Sequence, residues 1–202
     1  GYIAGVKARI MRVSFTGELG FEINVPAAFS QAIWDMLWAA GQIYDAVVYG
    51  TEAMHVLRAE KGFIIVGQDT DGTVTPADTG MAWAIGKNKA DFVGKRSLTR
   101  PDMLTANRKQ LVGLLTGDAQ TVLDDGAQIT AEKNPPAGTH AMGHVTLSYF
   151  SPALNRSIAL ALVEGDVSFD DSHSYEKMAD PRIRAVKERV TLVPDRELMD
   201  PA

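Results

Sequence analysis

The spacing of the hydrophobic residues changes period along this chain, and that change constrains its fold more than any other feature. Phe21, Ile23 and Val25 alternate with Glu22 and Asn24, as Val6, Ala8 and Ile10 do with Lys7, Arg9 and Met11. Both stretches read as strands with one buried face, joined by a glycine-rich turn. Phe29, Ile33, Leu37 and Ala40 then recur at helical spacing, with Pro26 ahead of them and Gly41 behind, which predicts an amphipathic helix from Pro26 to Ala40. Trp34 and Trp38, four apart on a neighbouring stripe, are expected to be packing residues. Ala46 to Tyr49 reads as a short apolar strand, Thr51 as a helix N-cap, and Glu52 to Lys61 as a helix burying Ala53, Met54 and Leu57 before Gly62 stops it. Strand and helix alternate to about residue 100, so helices should cover one face of a sheet in an α+β layer packing.

From Lys109 onward the texture becomes short apolar runs between turn signals. Leu111 to Leu115, Val145 to Tyr149 and Ser157 to Val163 are the runs; Asp124-Asp125-Gly126 and Asn134-Pro135-Pro136-Ala137-Gly138 are the turns. This half predicts a small antiparallel β-barrel or roll. The expected organisation is therefore an α+β subdomain over 1–100 and a barrel over 101–165, with the boundary near Leu98 to Arg108. A charged tail over 166–202 does not fit the barrel; Tyr175 to Glu188 can hold a short helix interrupted by Pro181, and Val190 to Val193 a strand.

Composition narrows the function classes. A chain of 202 residues, 46% hydrophobic and 22% charged, can bury a real core. Its net charge of -5 argues against nucleic acid, whose binders need a basic footprint. The absence of cysteine removes disulfides, thiolate catalysis and cysteine zinc sites. No apolar run reaches the ~20 residues of a spanning helix and no signal sequence stands at the start, so a soluble cytoplasmic protein without membrane partners is expected. The chain opens on a strand and not on Met, and is read as a piece of a longer polypeptide.

Among chemistry-bearing residues, Glu18 stands out because Gly17 and Gly20 bracket it on the turn entering the Phe21 strand. A solvated turn acid and a ligand-contacting acid both fit that placement. His140 and His144 would stand about 13 Å apart on a strand at ~3.3 Å per residue, too far to share a metal ion. His55 reads as packed or solvated. Asp69, Asp71 and Asp78 lack the spacing of a calcium loop. Arg58, Glu60 and Lys61 form a charged cluster at a helix end, and no nucleotide or flavin fingerprint is present.

The ordered series Thr16-Gly17-Glu18-Leu19-Gly20-Phe21-Glu22-Ile23, Gly50 to Gly62, Thr75-Pro76 and Asp91-Phe92-Val93-Gly94-Lys95 resembles the glycine-cleavage T-protein (aminomethyltransferase) superfamily. Gly143-His144-Val145-Thr146 and Ser151-Pro152-Ala153-Leu154 resemble its C-terminal barrel. Glu60 to Gly72 is most similar to the branch formed by alpha subunits of heterotetrameric sarcosine oxidase. The resemblance implies a tetrahydrofolate-binding module, with NAD and flavin on sequence outside this chain or on other sarcosine oxidase subunits. Glu18 matches the family's pterin-recognising carboxylate, which accepts two parallel hydrogen bonds from the pterin N–H and amine; Phe21 would add an apolar wall, and Arg58 matches a family arginine. Met54 stands where the family's other helix arginine is expected, and the essential aspartate has no counterpart here, so no catalytic residue is carried over. Alternatives are a non-catalytic subunit-assembly module and the aminomethyltransferase of the glycine cleavage system itself. The tail, from Val167-Ser168-Phe169 to Val193-Pro194-Asp195, resembles a piece of the MmgE/PrpD family.

Overall fold

The computed structural model describes residues 1–130, 135–165 and 191–193. The chain divides into two compact units, Gly1–Arg58 and a second that starts at Ala59.

The first unit carries two antiparallel ribbons and most of two helices. Strands β1 (Tyr2–Ile3) and β2 (Val6–Lys7) form one ribbon; β3 (Arg9–Arg12) and β4 (Phe21–Asn24) form the other. The single strand expected across Val6 to Met11 is thus split between the two ribbons. A 3₁₀ turn at Ala27–Phe29 leads into helix α1 (Ser30–Gly41), and helix α2 (Thr51–Lys61) follows. The helix periods are as the sequence predicts, but the buried faces are not. In α1 only Ile33 is buried, while Trp34 and Trp38 stand 53% and 39% exposed. In α2 the buried residues are Arg58 and Ala59, and Ala53 and Leu57 are exposed. Ala46 to Tyr49 forms no strand at all.

The second unit is built on a five-stranded antiparallel sheet in the order β5 (Lys109–Leu115), β8 (Arg156–Glu164), β7 (Gly143–Ser151), β6 (Gln128–Thr130), β9 (Thr191–Val193). All its pairings are antiparallel, giving the barrel-like domain expected from the turn-rich texture. Both faces of the sheet are apolar. Val112, Leu114, Ile129, Val145, Ala159, Ala161 and Val163 form one cluster; Leu111, Leu147, Ile158, Leu160 and Leu162 form the other, with Ala59 of α2, and Ile64 and Val74 pack against it. A strand buried on both sides loses the polar half of its alternation, which is why these runs read as unbroken hydrophobic stretches.

Val145 and Leu147 lie two positions apart yet belong to opposite clusters. The register explains it: Val145 pairs with Ala161 and Leu147 with Leu160, so Thr146 is an extra residue, a β-bulge. Gly143 makes the neighbouring close approach possible, because a Cβ there would sit 2.2 Å from the Leu162 carbonyl oxygen. No helix among the described residues is long and apolar enough to cross a membrane. The helix expected over Tyr175 to Glu188 lies outside the described residues.

Candidate functional site

The β3–β4 hairpin places the leading candidates. Its register pairs Arg9 with Asn24, Ile10 with Ile23, Met11 with Glu22 and Arg12 with Phe21. The Val13 amide donates to the Gly20 carbonyl at 3.2 Å and closes the loop between the strands. Gly20 is required there, since a Cβ would come within 2.7 Å of the Val13 oxygen, and Gly17 takes a φ of 88°, a left-handed angle that other residues adopt at a cost. Glu18 is exposed between them.

Side chains on one face of a strand recur every second residue. Phe21, Ile23 and their partners Arg12 and Ile10 therefore share a face of the hairpin, and Phe21 is 59% exposed on it. An exposed acceptor-only carboxylate, an exposed aromatic ring and a guanidinium directly opposite that ring thus belong to one short hairpin. These groups suit a flat heteroaromatic ligand with a donor edge and an acidic substituent. Arg12 escaped the sequence reading because pairing across a hairpin depends on the loop length, and a six-residue stretch between Val13 and Gly20 did not declare which residues face each other.

Arg58 belongs to a different element. It lies in the last turns of α2 and is 0% exposed, unlike Glu18 and Phe21. Its neighbour Glu60 accepts a hydrogen bond from the buried Ser151 hydroxyl at 2.6 Å, so the end of α2 is tied to the C-terminal residue of β7. Met54 is partly buried one turn before Arg58.

The acids of the 65–78 connection serve the fold. Asp69 is fully buried; its Oδ2 accepts from the Ile65 amide at 2.8 Å and its Oδ1 from the Thr146 hydroxyl at 2.6 Å. Asp71 accepts from the Thr73 hydroxyl and amide, which hold its carboxyl below the ordinary value. Asp78 accepts from the Thr75 amide and hydroxyl and from Arg108, whose Nη1 donates to the Asp102 carbonyl and Nη2 to the Thr73 carbonyl. His144 is held neutral to lower pH than usual by burial and by Lys109, against the opposing pull of Asp71. His140 instead meets Glu164 at 2.5 Å on an exposed edge. Among the described residues no group of three or more His, Asp or Glu is placed to hold a metal ion.

Two family models match the chain. The GCVT N-terminal domain covers residues 1–89, and the glycine cleavage T-protein C-terminal barrel domain covers 109–193. The second match takes in residues 166–193, which the sequence reading sets apart from the barrel and compares with MmgE/PrpD proteins; β9 pairs with β6 in that segment. Among curated relatives, "Sarcosine oxidase subunit alpha" of Corynebacterium sp. (strain P-1) is 52% identical over 163 residues, covering 80% of this chain and 17% of the relative. The protein of that name from Rhizobium meliloti (strain 1021) is 39% identical over 76% of this chain and 16% of its own. "Aminomethyltransferase" of Nitrosomonas europaea is 38% identical over 79% of this chain and 41% of its own. Among solved structures, glycine cleavage system aminomethyltransferase T from Bartonella henselae matches with a TM-score of 0.62 and 28% identity, over 77% of this chain and 41% of that one. The chain spans less than half the length of each of these relatives.

Proposed function

The chain belongs to the glycine cleavage T-protein family, and from that premise we propose that it is the tetrahydrofolate-binding module of a sarcosine oxidase alpha subunit. The 52% identity to an alpha subunit, against 38% to an aminomethyltransferase, supports that branch over the glycine cleavage enzyme. The observation that carries the folate reading is Glu18, exposed on the tightly closed β3–β4 loop with the exposed Phe21 three positions on.

Bound tetrahydrofolate would supply an amine that accepts the one-carbon unit released when sarcosine is demethylated at a flavin elsewhere in the complex. This chain's residues bind and orient. The Glu18 carboxylate, an acceptor at both oxygens, would take paired hydrogen bonds from a pterin N–H and its amine; ionised acceptors make the stronger hydrogen bonds. Phe21 offers an apolar wall to the ring. Arg12, across from Phe21, would face a carboxylate of the same ligand. Arg58 is buried and would act by fixing the end of α2. Partners of this module would be the N-terminal part of the alpha subunit and the other subunits of the oxidase, where any NAD and flavin sites would belong.

Isothermal titration of the chain with tetrahydrofolate tests the reading, alongside Glu18→Gln, which keeps the size of the side chain and removes half its acceptor capacity. Binding by the wild type that falls at least about tenfold in the variant, the effect of losing ~1.4 kcal/mol, supports it. Equal affinities would take Glu18 out of the site. No binding by either, with the chain folded and assembling onto the other subunits, would favour the assembly-module reading.

A further inference from the structure

The second unit carries a long connection that adds nothing to its core. Between Thr79 and Asn107 the chain forms 3₁₀ turns at Ala82–Ala84, Lys95–Thr99 and Pro101–Met103, and no strand or α-helix. No residue of the stretch is buried. Its base is nonetheless pinned: the Arg108 guanidinium grips the buried Asp78 carboxylate, and its Nη1 donates to the Asp102 carbonyl. Within the loop, the amides of Ile85, Lys89, Lys95 and Ser97 donate to the carbonyls of Ala82, Gly86, Phe92 and Gly94 and hold a series of local turns. Loops longer than about 12–15 residues without strand or helix are uncommon in compact domains, and ordered ones are chiefly binding segments.

The charge of this loop is opposite to that of the chain. Residues 87–100 hold five cations, Lys87, Lys89, Lys95, Arg96 and Arg100, and a single acid, Asp91, in a protein of net charge -5. Asp91 accepts from the Phe92 amide, Arg100 meets Asp102, and Lys95 reaches back to the Ala90 carbonyl. Among the described residues, Lys87, Lys89 and Arg96 meet no acid. The stem of Lys89 lies along Gly86, where a Cβ would come within 3.3 Å of its Cγ and Cδ, so this side chain is partly held before any partner arrives. Trp83 and Val93 are exposed apolar groups of the same loop. Aromatic and arginine side chains are those enriched at protein–protein interfaces.

We propose that the 79–107 loop docks an acidic segment of a partner protein, with Lys87, Lys89 and Arg96 taking its carboxylates and Trp83 and Val93 supplying the apolar contact. Arginine meets a carboxylate through two parallel donors and lysine as a point charge. Confinement of the positive charge to residues 87–100 fits a short run of acids. Duplex DNA and an anionic membrane both extend far beyond such a loop and would face the acidic remainder of the chain. The inference does not rest on folate binding, and the two fail separately.

The test titrates the full 202-residue chain into a fluorescein-labelled oligoglutamate peptide and follows anisotropy, with an oligoglutamine peptide, a DNA duplex and phosphatidylserine vesicles as comparison probes. Oligoglutamate is expected to bind, more weakly as salt is raised, and oligoglutamine not to. Lys87→Gln with Lys89→Gln should weaken binding about tenfold, and Arg96→Gln several-fold, whereas Lys7→Gln, an exposed cation outside the loop, should leave it unchanged. Trp83→Ala should weaken it without altering the salt dependence. None of these residues is buried, so each variant should unfold in urea as the wild type does. The proposal is overturned if oligoglutamate does not bind, if the loop variants bind it as tightly as the wild type, or if the duplex or the vesicles bind more tightly than the peptide.

Discussion

Thr146 donates its hydroxyl to the buried carboxylate of Asp69, 77 residues earlier, from the extra position of the β7 bulge. Without the bulge Val145 and Leu147 would share one face of the sheet. With it, each enters a separate hydrophobic cluster, and the intervening Thr146 meets the 65–70 turn. One irregular residue thus couples strand parity to the placement of the connection leading out of α2.

Thr146→Val tests that coupling, since it keeps the shape and removes the donor. A hydrogen bond accepted by a carboxylate contributes about 1.5–3 kcal/mol, and the variant removes the one that the Thr146 hydroxyl donates to the Asp69 Oδ1. Urea unfolding should show a loss in that range. A change under about 0.5 kcal/mol would mean that water or another group serves Asp69 as well.

Arg108 should be among the most sensitive positions of the second unit. Its Nε and Nη2 grip the Asp78 carboxylate at 3.0 and 2.5 Å, while two further donors hold the Thr73 and Asp102 carbonyls. Arg108→Ala leaves a buried carboxylate without its cation, a change that costs about 3–5 kcal/mol. Arg108→Lys keeps the charge and loses the fork, so it should recover only part of that. Equal stability of the lysine variant and the wild type in urea would show that charge alone matters.

The same carboxylate sets an acid limb. Burial by itself pushes the Asp78 carboxyl up, but the hydrogen bonds from Arg108 and from the Thr75 amide and hydroxyl outweigh it and hold the group below its ordinary 3.8. A carboxyl depressed in the folded state binds fewer protons there than in the unfolded chain. Its contribution is therefore complete above the unfolded value and is lost as pH falls from about 4 through the folded value. Asp78→Asn should flatten that part of the stability profile; an unchanged slope between pH 4 and 2 would assign the acid limb to other groups.

Gly143→Ala should break the β7–β8 contact. The added methyl would lie 2.2 Å from the Leu162 oxygen and 2.9 Å from the Val163 Cα, both backbone atoms of β8. The strands must separate or slip, and a cost of about 1–3 kcal/mol follows from overpacking alone. Amide exchange should quicken at residues 143–145 and 161–163 before the rest of the sheet. Wild-type stability would require that the strands shift freely there.

At the candidate site, Phe21→Ala and Arg12→Ala should separate ring from acid recognition. Both residues are exposed, so stability should move by less than about 0.5 kcal/mol. If Phe21 walls the pterin, its loss weakens tetrahydrofolate several-fold; if Arg12 meets the ligand's carboxylate, its loss weakens tetrahydrofolate but not a pterin lacking that group. Identical effects on both ligands would move Arg12 away from the acidic end.

Local chemistry was legible in the order of residues. The 3.6 period of α1 and α2, the turn at Gly17 and Gly20, the strands beginning near Leu111, Val145 and Ser157, and the Glu18 motif that marks the family all rest on interactions within a few positions, and the chain's own pattern states them. The buried faces were not legible in the same way. Trp34, Trp38 and the Ala46 to Tyr49 run carry the composition of a core, and composition records what a residue prefers, not whether a neighbour covers it; among the described residues these side chains stay largely exposed. Arg58 belongs by sequence to a charged cluster at a helix end and is buried in the structure, while Ala59 packs in the second unit's core. The bulge at Thr146, the pairing of Arg12 with Phe21 and the grip of Arg108 on Asp78 join residues up to 77 positions apart. Only a folded chain brings such groups within a hydrogen bond, since register is set jointly by loop length, parity and packing. The sequence by itself determined the family, most of the elements and the acid at the turn; the tertiary structure decided which residues of those elements are buried and which long-range pairs meet, because burial and register depend on neighbours distant along the chain.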